Sequence, residues 1–101
     1  MKAVLIKPDE QTIEQIDLAG EEDIAKHIGF DTITSDEIGP DGDRLYFDEE
    51  CFLRGSSGRF QIDTVVPVSG PGLIIGSPDN GQTLSDAVSD TESIRARVKY
   101  L

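Results

Sequence analysis

The chain has 101 residues, one domain's worth, since a second independent core would need roughly 50 or more further residues. Nine Lys and Arg stand against 20 Asp and Glu, a formal net charge of -11. That balance excludes a generic nucleic-acid-binding surface, because phosphate affinity comes from cations replacing counterions, and it argues equally against docking on anionic membranes.

The charge is unevenly spread. Residues 9–50 hold 15 acids against Lys26 and Arg44, while residues 51–101 hold five acids and five bases. The anionic excess therefore belongs to the first half. A single cysteine, Cys51, forbids an intrachain disulfide, and its acidic and apolar neighbours point to a small buried hydrophobe. The longest apolar stretch near the N-terminus, Ala3 to Ile6, is shorter than a signal-peptide core or a membrane span. A cytoplasmic protein with one domain over 1–101 is the expectation.

In chain order, Lys2 to Ile6 predicts a strand with apolar residues on both faces. Pro8-Asp9-Glu10 is turn chemistry, and Thr12 to Leu18 predicts a second strand, completing a hairpin. Gly20 to Gly29 predicts a short helix: acids at its start and Lys26 and His27 at its end suit the helix dipole, and Ile24 and Ile28 share a face. Gly29 is a left-handed stop. A helix this short needs a sheet beneath its isoleucines.

Asp31 to Glu37 and Arg44 to Asp48 predict a second hairpin around Gly39-Pro40-Asp41-Gly42-Asp43. Cys51 to Arg54 fits a short turn or a strand, and Gly55 to Gly58 a loop. Arg59 to Ile62 alternates as a strand. Residues 64–72 read as irregular, and Leu73 to Ile75 as a short buried strand before a turn at Ser77 to Gly81. Ser89-Asp90-Thr91-Glu92 has the spacing of a capping box. It predicts a helix over 90–96, followed by a strand over Val98 to Leu101. The fold class is α+β: a twisted, mainly antiparallel sheet or partial barrel of five to seven strands with one or two short helices.

Chemistry-bearing patterns are sparse. Nucleophile elbow, His-Glu-x-x-His and Cys-x-x-Cys motifs are missing. His27, the single histidine, reads as a complement to the helix dipole. No catalytic residue, metal set or cofactor is expected. Asp41, Asp43, Asp48, Glu49 and Glu50 form the densest acid cluster and the candidate interaction patch. They flank one strand in two groups, on the order of 15 Å apart, too far to share one metal ion. Gly70-Pro71-Gly72 reads as turn geometry rather than a phosphate cradle, since Pro71 lacks a donor and a strand follows. With Tyr46 and Phe60, Gly70 and Gly72 make a candidate ligand cleft.

Five segments in this order carry a family likeness: Met1 to Pro8, Ile28 to Ile33, Asp43 to Glu50, Gly70 to Gly76, and Ile94 to Leu101. The chain resembles a family of short bacterial proteins with no assigned function, often carried by phages, plasmids and other mobile elements. The resemblance spans nearly the whole chain and rests on turns and strand ends. It departs from the family pattern at Lys7, where an acid is common, and at Cys51, where glycine is common. It carries over no catalytic residue.

Three functions stand open at this point. One is a non-enzymatic interaction protein, an accessory or anti-defence protein whose acidic face occupies a basic nucleic-acid-binding protein. Another is a small-ligand-binding β-rich protein. The third is an enzyme with a carboxylate-based site. A homodimer burying a sheet edge or Val98 to Leu101 is compatible with each.

Overall fold

The computed structural model describes all residues except 56, 57, 80 and 81. β1 (Lys2–Lys7) pairs antiparallel with β2 (Thr12–Asp17), placing Ile6 opposite Ile13 and Lys2 opposite Asp17. The turn closes as the Gln11 N–H donates to the Pro8 carbonyl at 3.3 Å. α1 (Glu22–Ile28) follows. Its entry is held by Asp23, whose carboxylate accepts the Ala19 N–H at 2.7 Å. Its exit is Gly29 at φ 92, where the N–H donates to the Ala25 carbonyl; a side chain there would be strained.

β3 (Ile33–Glu37) and β4 (Asp43–Asp48) form the second hairpin, in the register Ser35 opposite Tyr46. Cys51–Leu53 is one 3-10 turn, not a strand, with the Arg54 N–H donating to the Cys51 carbonyl. Cys51 is buried, as its neighbours suggested. β5 (Arg59–Ile62), β6 (Val68–Ser69) and β7 (Gly72–Gly76) come next, then α2 (Thr91–Arg97) and β8 (Val98–Tyr100). Residues 64–72, expected to be irregular, thus contain the two-residue β6 and the first residue of β7. The expected loop at Gly55 to Gly58 and turn at Ser77 to Gly81 each fall partly outside the described residues. The helix cap is Asp90, which accepts the Ser93 N–H at 2.8 Å. Ser89, the expected cap, instead spends its own N–H on Asp43.

The fold is α+β and antiparallel throughout the described strands. The main sheet has five strands in the order β2-β1-β7-β4-β3 and is not closed; β6-β5-β8 form a second sheet. β1 and β7 occupy the interior of the main sheet. Central position explains why both are apolar on consecutive residues: each must be covered from two sides.

Strand alternation divides the core in two. On one side, Val4, Ile6, Leu45, Phe47 and Ile74 pack against Phe60, Ile62 and Val68 of the second sheet and Ile94 of α2. On the other, Ala3, Leu5, Tyr46, Leu73 and Ile75 pack beneath Ile24 and Ile28 of α1. The isoleucines of α1 sit over the sheet that its short length requires. No described helix is long and apolar enough to cross a membrane.

Candidate functional site

β4 carries the residues on which the site turns. Asp43, Leu45 and Phe47 point to the second-sheet side, while Arg44, Tyr46 and Asp48 point to the α1 side. This alternation breaks up both constellations drawn from the sequence.

The five-acid patch is not one surface. Asp41, Glu49 and Glu50 are exposed, but Asp43 and Asp48 are buried. They sit five residues apart, an odd spacing, so they face opposite sides at opposite ends of the strand. Asp43 accepts the Val88 and Ser89 N–H groups at 2.8 and 3.0 Å and so fastens the segment before α2 to the sheet. Asp48 accepts the Thr32 hydroxyl, the Glu50 N–H at 3.0 Å and Arg54 Nε at 2.9 Å. Burial opposes its charge, but these hydrogen bonds outweigh burial and hold the carboxyl below the usual carboxylate range. Arg54 also pairs with Glu50 at 3.2 Å and lies 4.1 Å over the Phe30 ring centre. Both buried aspartates are braces.

The expected cleft of Tyr46, Phe60, Gly70 and Gly72 does not form either. Phe60 is fully buried on the second-sheet side, the far side of the main sheet from Tyr46. Gly72 is small because that ring needs the space: a Cβ there would stand 2.7 Å from Phe60 Cζ. Gly70, at φ 85, is buried at the bend between β6 and β7. Tyr46 lines an open cleft.

That cleft lies between α1 and β3 and encloses about 460 Å³. Ile24 and Ala25 form its helix wall, and Ile33, Thr34 and Ser35 its strand wall. Glu21 and Asp31 contribute carboxylates to its lining, and Tyr46 completes it. The order follows from local periodicity. Glu21, Ile24 and Ala25 are spaced i, i+3, i+4, so the helix shows them on one side. Ile33 and Ser35 share a strand face and stand opposite Asp48 and Tyr46.

Tyr46 is 8% exposed, and its hydroxyl finds no hydrogen-bond partner. It is the only such buried side-chain atom among the described residues. Buried hydroxyls are nearly always paired, so an unpaired one marks a place where packing was not the deciding requirement. The nearest basic side chain on β4, Arg44, is already used: its Nε donates to Ser35 Oγ at 3.0 Å and its Nη2 to the Ser35 carbonyl at 3.1 Å. The Ser35 carbonyl points away from β4, because the paired neighbours are Thr32 with Glu49 and Ile38 with Asp43. Arg44 thereby guards the sheet edge at β3.

Glu21, Glu22, Asp31 and Glu37 have no salt-bridge partner among the described residues, whereas Lys26 is paired with Asp23 and Arg54 with Asp48 and Glu50. The α1 side of the sheet thus keeps unspent negative charge around a partly apolar cleft. Among the described residues, no three His, Cys, Asp or Glu side chains gather as a metal-binding group. Sequence reasoning singled out Tyr46 and missed Glu21, Asp31 and Ser35. The alternation of Ile33 and Ser35 and the helical spacing from Glu21 to Ala25 were the available signals. No protein-family model matches the chain, and no curated protein or solved structure matches it.

Proposed function

We propose that this chain is a non-enzymatic interaction protein that engages a basic partner through the acidic side of its main sheet, around α1 and β3. One observation carries the reading: Glu21, Glu22, Asp31 and Glu37 are free of ion pairs on the side where the local bases are consumed. Other carboxylates do structural work, as Asp43 does within the core, Asp48 in its bonds to Thr32 and Arg54, and Asp63 in its pairing with Arg97. Unpaired charge of one sign steers an oppositely charged partner and selects it over neutral ones. A basic nucleic-acid-binding protein, of the sort an accessory protein of a mobile element would occupy, is the partner class that fits.

Calorimetric titration with hexalysine at low and high salt tests this. The expected result is salt-sensitive binding that is lost when Glu21, Glu22 and Asp31 are changed together to Gln, Gln and Asn. The control triple Asp17→Asn, Asp41→Asn and Glu92→Gln makes the same change in net charge and should retain most of the binding. Equal losses in the two triples would mean that only the overall charge matters, and the acidic-face reading would fall.

A further inference from the structure

We propose that the chain associates head to tail with a second copy of itself, the outer face of its second sheet seating on the α1 side of the other copy's main sheet. The inference rests on the acidic-face reading and gives that face a partner of known structure.

The second sheet covers the main sheet with one face and turns the other to solvent. Phe60, Ile62, Val98 and Tyr100 point inward, so strand alternation turns Arg59, Gln61 and Lys99 outward. Gln61 stands opposite Lys99, and Arg59 lies diagonal to Lys99, about 7–8 Å away by strand geometry. Both bases are exposed, and neither has a salt-bridge partner among the described residues, whereas Arg54 and Arg97 are paired. β5, β6 and β8 carry no acidic residue. Phe52, 54% exposed, adds apolar surface beside them, with the Arg59 guanidinium 5.4 Å from its ring centre.

α1 and the second sheet cover opposite sides of the main sheet. The two free bases and the unpaired carboxylates of Glu21, Glu22 and Asp31 therefore look in opposite directions, and one copy cannot join them internally. Two-fold pairing of like faces would set base against base or acid against acid. Only the heterologous contact matches charge, and it offers the Phe52 ring the apolar wall of Ile24, Ala25 and Ile33. Such a contact repeats, since every copy keeps one free face of each kind. Overall repulsion between chains of charge -11 is screened beyond about 8 Å at physiological salt, and facing ion pairs sit well inside that distance. The interface is small, of the weak and transient class, so the dilute chain is monomeric and meets hexalysine with both faces open.

Sedimentation equilibrium over rising concentration at about 0.15 M salt tests this. The average mass of the parent is expected to climb past that of a dimer. Arg59→Gln with Lys99→Gln, at two exposed positions, and the Glu21, Glu22, Asp31 triple are each expected to weaken association about tenfold or more. The triple removes three negative charges, so association tighter than the parent's would mean that overall repulsion governs it, and the inference would be overturned. An equal mixture of the two variants asks the sharpest question. One keeps its acidic face and the other its basic face, so the mixture is expected to form dimers and stop there. The inference is overturned by a parent that stays monomeric up to about 1 mM, by either variant associating like the parent, or by a mixture no more associated than its parts. Hexalysine separates the two readings. The Arg59, Lys99 double keeps the acidic face and is expected to bind hexalysine like the parent. Hexalysine binding by a parent that does not self-associate removes only the head-to-tail contact, and a parent that fails to bind hexalysine removes both readings.

Discussion

The two sides of the main sheet are built to different standards. The second-sheet side is sealed by three strands and a helix, and its one buried charge, Asp43, is satisfied by two backbone N–H groups. The α1 side is covered by a single seven-residue helix, which leaves a cleft, unpaired carboxylates and one orphaned hydroxyl. Both environments are served by alternate residues of β4. The contrast teaches that a strand's two faces can answer to separate demands, packing on one and availability on the other.

The sharpest way to break that comparison is to damage the sealed side. Phe60→Ala should cost about 3–5 kcal/mol, the range for emptying a buried aromatic site, measured by urea unfolding. A much smaller loss would mean that this side is not the stability core. Asp43→Ala should cost about 1–3 kcal/mol, because the Val88 and Ser89 N–H groups lose their acceptor. Hydrogen exchange should then quicken at those two amides. Gly72→Ala should also cost about 1–3 kcal/mol by forcing the Phe60 ring and Leu45 Cδ1 aside, again read from urea unfolding.

Asp48 sharpens the comparison through pH. Its folded carboxyl lies below the ordinary value of 3.8. The stabilisation is therefore fully present above the unfolded value and is lost as pH falls from about 4 through the lowered folded value. Arg54→Gln removes one source of that lowering. The variant should be less stable than the parent near neutrality, with the gap closing in acid. A gap independent of pH would remove the charge pairing as its cause. The smallest effect is expected on the open side: Tyr46→Phe should leave stability unchanged or raise it by about 1 kcal/mol, since a buried hydroxyl without a partner is removed. A clear loss in thermal unfolding would show that the hydroxyl is structurally engaged.

Local chemistry was legible in the sequence. Pro8-Asp9-Glu10, Gly29 and the Gly39 to Asp43 turn each act within a few residues, and the two hairpins and α1 follow from them. Strand order was not, because β7 enters between β1 and β4 through pairings across more than 25 residues. Its apolar run Leu73-Ile74-Ile75 showed only that it would be covered on both faces. The same gap explains the site. Tyr46 drew attention as an aromatic, but Phe60 belongs to a different sheet, and no local pattern shows which side of the main sheet that sheet will cover. Asp43 and Asp48 were separable in principle, since their odd spacing already puts them on opposite faces. Glu21 and Asp31 become neighbours of Tyr46 only when α1 folds back over the sheet.

Backbone amide NMR during a hexalysine titration tests the division of labour most directly. The account predicts that shifts concentrate at residues 21–25, 31–35 and 46, with Arg59 to Ile62 and Ile94 unmoved. Shifts centred on the second sheet and α2, with the α1 side silent, would contradict it.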